Sequence, residues 1–167
     1  MPLQVCAESL PNEIDGAVAL PDPPSHLRIL VVDDNEVNRD VAVMILEQDH
    51  QVSTATNGLE ALQTLARTDY DLVFMDVQMP IMDGLTATRI IRRLERNQSL
   101  DVALPETIDS QLVQRLSGRH LAIVAMTAHA MGGDREMCLE AGMDSYITKP
   151  FQPGQLLEVL RSLQSTL

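Results

Sequence analysis

Three acidic residues and the chain's single lysine each end or follow a run of residues typical of a β-strand. Asp76 ends one such run, and Asp33 and Asp34 together follow another. Lys149 comes directly after a third run. A carboxylate at the tip of a buried strand loses its hydration, so it needs a charge partner or a chemical role. If the three runs are strands of one sheet, the four side chains form a single electrostatic site.

Three carboxylates at one point raise each other's pKa, because each charge opposes the ionisation of its neighbours. A hard divalent cation removes that cost, and Mg²⁺ prefers oxygen ligands. We therefore expect Asp33 and Asp34 to hold Mg²⁺ beside Asp76, with Mn²⁺ as the alternative ion. Ionised Asp76 could then attack phosphorus, while Lys149 and the Thr127 hydroxyl would neutralise phosphoryl oxygens. The structural alternative is an acidic pair at a helix N-terminus and a surface lysine.

The elements that would position this site alternate along the chain. Five short runs that are apolar or contain β-branched residues each precede a segment with apolar residues at helical spacing. The predicted strands are 29–33, 52–56, 72–76, 121–126 and 145–148. The predicted helices are 36–48, two segments that begin near 58 and 84, 132–141 and 153–164. This alternation predicts an α/β protein with a five-stranded parallel sheet and helices on both faces.

In such a sheet, chemistry gathers at the carboxyl ends of the strands, where the acidic residues, Thr127 and Lys149 all fall. The first predicted helix offers an apolar stripe for packing against the sheet. That stripe consists of Val37, Val41, Met44, Ile45 and Gln48.

The first 26 residues differ in composition from the rest of the chain. They contain five prolines and four acidic residues but no lysine or arginine. This composition is typical of a mobile leader or a linker between domains. We therefore assign 1–26 to a leader and 27–167 to the domain.

One segment within the domain interrupts the regular alternation of strands and helices. Its 22 residues, 97–118, far exceed the roughly 2–6 residues of an ordinary loop between a helix and a strand. Leu112, Val113 and Leu116 predict a short amphipathic helix inside it. An ordered lid and a flexible excursion both fit this 97–118 segment.

Composition limits the classes of protein that this chain can belong to. Hydrophobic residues make up 45% of the chain and aromatic residues only 2%, which predicts an aliphatic, methionine-rich core. A net charge of −12 argues against duplex nucleic acid and anionic membranes as direct partners. No apolar stretch approaches about 18 residues, so we expect no membrane span, and the first residues lack the basic start and apolar core typical of a signal peptide. With two distant cysteines, the sequence predicts a reduced, cytoplasmic setting.

Four motifs in order resemble the receiver domain of two-component response regulators. They are Val31-Val32-Asp33-Asp34-Asn35, Met75-Asp76-Val77-Gln78-Met79-Pro80-Ile81-Met82-Asp83-Gly84, Thr127-Ala128 and Thr148-Lys149-Pro150-Phe151. The resemblance covers about 28–164. It implies a flavodoxin-like fold in which Asp76 accepts phosphate from the phosphohistidine of a histidine kinase or a histidine phosphotransfer domain. The chain would catalyse its own phosphorylation and dephosphorylation, and it would not be a metabolic enzyme.

The resemblance also implies a role for each residue of the site. Asp34, Asp76 and the backbone carbonyl of Gln78 would bind Mg²⁺ directly, and Asp33 would act mainly through water. Thr127 and Lys149 would contact the phosphoryl group. Tyr146 matches an aromatic switch position, whose ring turns inward as Thr127 moves towards the phosphate; a ring simply packed on the sheet is the alternative.

The residues of two motifs, 33–39 and 127–131, are most similar to those of receivers attached to hybrid histidine kinases. The chain would then be a receiver-only protein or the C-terminal receiver of a kinase, cytoplasmic or tethered through a membrane-bound kinase. Output through a homodimer competes with relay of phosphate to a phosphotransfer domain, and the resemblance favours the relay.

Three other functions compete with this interpretation. A haloacid dehalogenase-type phosphatase needs a second acid two residues after its nucleophile, where this chain has Gln78. A nucleotide-binding domain would need a glycine-rich turn after the first strand, where this chain has Asp33-Asp34-Asn35. An interaction module with the receiver fold but no phosphorylation remains the alternative that only an activity measurement distinguishes.

Overall fold

The computed structural model describes residues 26–129 and 131–165, without the side chains of 107 and 164. The leader predicted at 1–26 therefore lies, apart from His26, outside the described residues. The strands are β1 (Arg28–Val32), β2 (Gln51–Ala55), β3 (Leu72–Asp76), β4 (Ala122–Thr127) and β5 (Ser145–Thr148). The helices are α1 (Glu36–Leu46), α2 (Gly58–Arg67), α3 (Gly84–Glu95), α4 (Glu106–Leu116), α5 (Gly132–Ala141) and α6 (Pro153–Gln164).

The five strands form one parallel sheet in the order β2-β1-β3-β4-β5. This is the strand order of flavodoxin-like folds, with the topological switch between β1 and β3. All five residues of β3 are buried, as expected for a central strand covered on both faces. The predicted fold class is confirmed.

Two aliphatic cores cover the two faces of the sheet. One packs α2, α3, α4 and α5 against one face, and the other packs α1 and α6 against the opposite face. Phe74 is the only phenylalanine in the middle of the sheet, and its side chain is fully buried in the second core. The aliphatic character that the composition predicts is therefore seen in both layers.

Most of the stripe predicted for α1 is wrong, although Ile45 packs against the second core as predicted. Val37 and Met44 are 68% and 66% exposed, and Val41 is also exposed. The buried face of α1 is instead formed by Ala42 and Leu46. This helix also ends at Leu46, two residues before the predicted end, and Gln48 lies beyond it.

The 97–118 segment is ordered and contains the predicted helix, α4. Leu112 and Leu116 are buried in the first core, whereas Val113 is exposed. The Arg115 guanidinium donates to the carbonyls of Ala66 and Arg67 at 2.9 and 2.8 Å, so α4 is fixed to the C-terminal end of α2. That end lies at the amino edge of the sheet, opposite the predicted site, so this helix is not a lid over the site.

The connections on the site's side of the sheet are short. Gly84 begins α3 so close to β3 that a Cβ atom there would lie 2.0 Å from the Asp76 carbonyl oxygen. Only glycine therefore lets α3 start beside the end of β3. None of the six described helices has both the length and the apolarity that crossing a membrane requires.

Candidate functional site

The acidic residues predicted from the sequence converge at the carboxyl edge of the sheet. Asp76 is the last residue of β3, and Asp33 follows β1, its neighbour in the sheet. The carboxylates of Asp33, Asp34 and Asp76 offer oxygen atoms that all lie within 4.8 Å of one another. This spacing suits a shared cation, because one ion can reach all three groups.

Asp33 is fully buried, and its carboxylate is already surrounded by donors. The Asn35 backbone N–H donates to Oδ1 at 2.9 Å, and the Asn38 side-chain amide donates to both oxygens at 3.3–3.4 Å. Asp34, in contrast, is exposed and lines the open cleft together with Asp76. The oxygens that are free to take a ligand from the cleft therefore belong to Asp34 and Asp76.

Lys149 neutralises two of these acids from the far side of the site. Its Nζ atom lies 2.6 Å from Asp33 Oδ2 and 3.0 Å from Asp76 Oδ2. The residue follows β5, and its backbone N–H donates to the Thr127 carbonyl at 2.7 Å, which fixes the end of β5 against β4. The peptide bond from Lys149 to Pro150 is cis.

Burial and charge shift the ionisation of the two central groups. Burial, and to a smaller extent the charge of Asp33, raises the pKa of Asp76 to about 6, against the opposing hydrogen bond from Lys149. Burial alone would lower the pKa of Lys149. The hydrogen bonds and charges of Asp33 and Asp76 outweigh it and raise the pKa of Lys149 above its ordinary value. The lysine is thus firmly charged, and Asp76 ionises at a cost.

Thr127 lies at the end of β4 and lines the same cleft of about 470 Å³. Its hydroxyl lies 3.2 Å from both the backbone N–H and the carbonyl of His129, so it both accepts and donates within this loop. Gln78 also lines the cleft, and its N–H donates to Asp76 Oδ1 at 3.3 Å. Thr127 and Gln78 therefore line the same cleft as Asp76.

Tyr146 stands apart from the other predicted site residues. It is half-buried on β5 and packs against the first core rather than lining the cleft. The Arg135 guanidinium lies over its ring, 5.5 Å from the centroid. This distance is within the range of a cation–π interaction.

Asn38 is the site residue that the sequence analysis missed. It lies in the first turns of α1, where its amide reaches back to Asp33. A polar residue one turn after the N-cap Asn35 is the only signal in the sequence, and such residues are common at exposed helix starts. Only the fold shows that this one faces an acid.

Comparisons with known proteins agree with this geometry. A family model described as the response regulator receiver domain matches residues 29–104 and 98–161. The chain belongs to this family. Receiver domains act in two-component signalling, and the recognition of the four motifs is confirmed.

Two curated relatives show where such a receiver occurs. Probable histidine kinase 1 of Oryza sativa subsp. indica is 39% identical over 80% of this chain. Hybrid signal transduction histidine kinase K of Dictyostelium discoideum is 36% identical over 89% of it. The chain spans only 15% and 11% of the lengths of these two relatives.

Solved structures with the same fold include other receiver domains. The receiver domain of a sensor histidine kinase from Pseudomonas aeruginosa PAO1 is 34% identical, with a TM-score of 0.65 over 84% of this chain and 98% of its own. That receiver domain has a magnesium ion coordinated in its active-site cleft. A chemotaxis protein of Vibrio cholerae, 24% identical over 82% of this chain and 98% of its own with a TM-score of 0.64, supports the fold alone.

Proposed function

We propose that this receiver domain accepts a phosphoryl group on Asp76 from the phosphohistidine of a histidine kinase or a histidine phosphotransfer domain. The observation that carries the proposal is the Asp76 carboxylate at the edge of an open cleft, 3.0 Å from the ammonium group of Lys149. Two further carboxylates lie beside it. A carboxylate nucleophile needs this combination of access and charge.

In the transfer, a carboxylate oxygen of Asp76 attacks phosphorus as the bond between phosphorus and the imidazole nitrogen breaks. The electron pair of that bond stays on the imidazole nitrogen, and an acyl phosphate forms on Asp76. The Lys149 ammonium group then has a phosphoryl oxygen within reach in place of the carboxylate that it contacts now. The Thr127 hydroxyl turns from His129 to a second phosphoryl oxygen, which spreads the charge of the transition state over two donors.

The residues at the cleft fit Mg²⁺, or Mn²⁺ in its place. Asp34 and Asp76 provide carboxylate oxygens that face the cleft, and the Gln78 backbone carbonyl is proposed as a third ligand. Asp33, whose oxygens already accept three donors, would act through a water molecule. When bound, the cation supplies positive charge that offsets the three carboxylates and the phosphoryl oxygens.

Phosphorylation would reach the surface through Thr127. Its hydroxyl now bonds the backbone of His129, so a turn towards the phosphoryl group releases the loop that precedes α5. Tyr146 lies on β5, beside β4, and its ring would follow this change as the switch residue. The cation–π contact between the Arg135 guanidinium and this ring would then be lost.

The similarity to hybrid histidine kinases extends the proposal from the phosphorylation step to the signalling pathway in which the chain acts. The chain would be a receiver in a multistep phosphorelay, either alone or as part of a longer kinase, in the cytoplasm. Its partner would be a kinase or a phosphotransfer domain rather than nucleic acid, in keeping with the net charge of −12. Homodimer formation after phosphorylation is the competing output.

Intact mass after incubation with Mg²⁺ and acetyl phosphate tests the proposal. We expect the wild-type chain to gain one phosphate and Asp76→Asn to gain none. Asp40→Asn, which removes an exposed carboxylate on α1, is the matched control and should be labelled like the wild type. Labelling of Asp76→Asn would move the site elsewhere. An unlabelled wild type that still binds Mg²⁺ and is not labelled by phosphohistidine donors would make the chain an interaction module.

A further inference from the structure

A second groove, of about 400 Å³, lies where α3, the start of the 97–118 segment and the end of α5 meet. It shares no lining residue with the cleft at Asp76. Arg89, Arg93 and Arg96 line it from α3, and Leu100 and Val102 line it from the 97–118 segment. We call this the arginine groove. Nothing in the phosphoacceptor chemistry requires it.

The arginine groove carries positive charge on a strongly acidic protein. Arg89 and Arg96 are exposed and form no ion pair within residues 26–129 and 131–165. Arg93 pairs with Asp101 at 2.5 Å. Asp101 and Glu140 also line the groove, so the arginines outnumber the acids. The groove therefore offers charge complementarity to an acidic ligand. Such a surface is uncommon on a chain with a net charge of −12.

Apolar side chains also line the groove, and its arginines extend along α3. Val102 is 48% exposed, and Leu100 is half-buried against the first core. Arg89 and Arg96 are seven residues apart on one helix, which places them about 10 Å apart along its axis. That distance equals about three residues of extended chain. An extended peptide with several carboxylates and aliphatic side chains fits this shape, whereas a single small anion would engage only part of it.

The chain itself contains such a peptide. Residues 1–25 include four acidic residues, six Leu, Ile or Val residues and no lysine or arginine. We propose that this acidic segment docks in the arginine groove of the same molecule. The proposal goes beyond the phosphoacceptor function and does not depend on it.

The attachment point of the segment lies at the same edge of the sheet as the Arg92 end of the groove. Residue 26 precedes β1, whose first residues pair with the start of β3, and β3 in turn pairs with β4. The start of β1 is therefore about 10 Å, or two strand spacings, from the start of β4. The guanidinium of Arg92, which also lines the groove, donates to the carbonyl of Leu121 just before β4 at 2.7 Å.

An extended chain covers about 3.3 Å per residue, so 25 residues can span up to about 80 Å, several times the two strand spacings. Linkage to the same molecule gives the segment a high effective concentration at the groove. Individually weak contacts between carboxylates and arginines can therefore hold it there. The same contacts in a detached peptide would be much weaker.

The two cysteines make a direct test possible on the full chain. Cys6 lies in the acidic segment, whereas Cys138 is buried and 1% exposed. In a Cys138→Ala background, a nitroxide attached to Cys6 reports which backbone amides it approaches through loss of their NMR signal intensity. We expect strong loss at Arg89, Arg96 and Leu100, and little at the far end of α6.

Charge reversal identifies the contacts. Arg89→Glu with Arg96→Glu should restore the lost intensity, whereas the matched double variant Arg67→Glu with Arg161→Glu, also at exposed arginines, should not. Glu8→Lys, Glu13→Lys and Asp15→Lys reverse the charges of the segment. When they are added to the Arg89→Glu, Arg96→Glu chain, the groove signals should again lose intensity. The same spectra show whether each variant remains folded.

Two results would overturn the proposal. The first is unperturbed signals at the groove in the labelled chain, or signals that lose the same intensity after reversal of Arg89 and Arg96. The second is loss that also arises when a spin-labelled, isotopically unlabelled chain is mixed with an isotopically labelled chain carrying no nitroxide. That outcome would show that the segment binds a second copy instead.

Discussion

Two charged clusters lie at opposite edges of the sheet, and they differ in how completely their charges are matched. At the amino edge, Arg92 is buried and all three of its guanidinium nitrogens donate: Nε bonds the Gly142 carbonyl at 2.7 Å, and the terminal nitrogens bond Glu95 and Asp144 at 2.8 and 2.9 Å and the Leu121 carbonyl. We call this set, with His120 beside the two acids, the Arg92 network.

At the carboxyl edge, one lysine contacts two of three neighbouring carboxylates, Asp33 and Asp76. The acids of the Arg92 network accept backbone N–H groups of Leu121 and Ile123 as well as the guanidinium. In the cleft, by contrast, Asp34 is exposed and the pKa of Asp76 is raised to about 6. A matched cluster stabilises the fold, whereas an unmatched one holds free energy that a cation or a phosphoryl group can release.

The largest expected effect is the loss of stability when the matched cluster is broken. Arg92→Ala leaves the Glu95 carboxylate, whose side chain is 7% exposed, and the more exposed Asp144 without their main partner. Loss of the partner of a buried charge typically costs about 3–5 kcal/mol. Urea denaturation should show this loss in the free energy of unfolding, while the folded fraction still takes phosphate from acetyl phosphate. Arg161→Ala, at an exposed arginine in the last turn of α6, should change stability by less than about 0.5 kcal/mol. Equal effects of both variants would show that the network does not hold the fold together.

The second expected effect falls on chemistry at the other edge. Lys149→Ala removes a donor that would face the phosphoryl group, and loss of one such donor typically lowers the rate by about 10²-fold or more. The rate of phosphorylation by acetyl phosphate at saturating Mg²⁺ measures this effect. Because a bound cation would also offset the charges of Asp33 and Asp76, the thermal midpoint in the same buffer should change far less than in Arg92→Ala. An unchanged rate would remove Lys149 from the mechanism.

The third prediction concerns the pH dependence of stability and the free-energy cost of ionising Asp76 in the cleft. The pKa of Asp76 in the folded chain, about 6, lies above the ordinary value of 3.8. This carboxyl therefore favours the folded state at pH values below 3.8, and that contribution is lost as the pH rises through 6. A difference of this size corresponds to at most about 3 kcal/mol.

Asp76→Asn should therefore be more stable than the wild type by about 1–3 kcal/mol at pH 7.5 without divalent metal, and the gain should vanish near pH 4. Addition of Mg²⁺ should stabilise the wild type and narrow the difference. Asp40→Asn, at an exposed carboxylate, should show neither effect. A wild type that is more stable than Asp76→Asn at pH 7.5 without metal would contradict an unmatched cleft.

The cleft was more predictable from the sequence than the Arg92 network was. Strand ends that carry Asp33, Asp76 and Lys149 are visible because apolar runs stop there, and the parallel order of strands then brings them together. Arg92 gives no such signal, since it is one of four arginines between 89 and 96 in an ordinary helical pattern. Only the packing of α3 against β4 and α5 distinguishes it from its exposed neighbours.

The same limit explains the two errors of position. Apolar residues occur on several sides of α1, so periodicity alone could not decide that Ala42 and Leu46, rather than Val37 and Met44, face the sheet. The helix in the 97–118 segment was predictable from its own sequence, but its location was not. That location depends on Arg115 and the free carbonyls at the end of α2, a contact between residues about 49 apart.

The smallest expected effect concerns the loop that joins the cleft to α3. Ile81 has φ of 71° and is 80% exposed, so a β-branched residue adopts the left-handed conformation without burying its side chain. Such a conformation costs an L-residue roughly 1–2 kcal/mol, and asparagine tolerates it better. Ile81→Asn should therefore raise the free energy of unfolding by about 1 kcal/mol, as measured by urea denaturation. Ile81→Val keeps the branched Cβ and should give no gain; equal gains would point to exposed apolar area rather than the backbone. A gain specific to asparagine would show that this edge of the sheet holds unfavourable free energy in its backbone as well as in its charges.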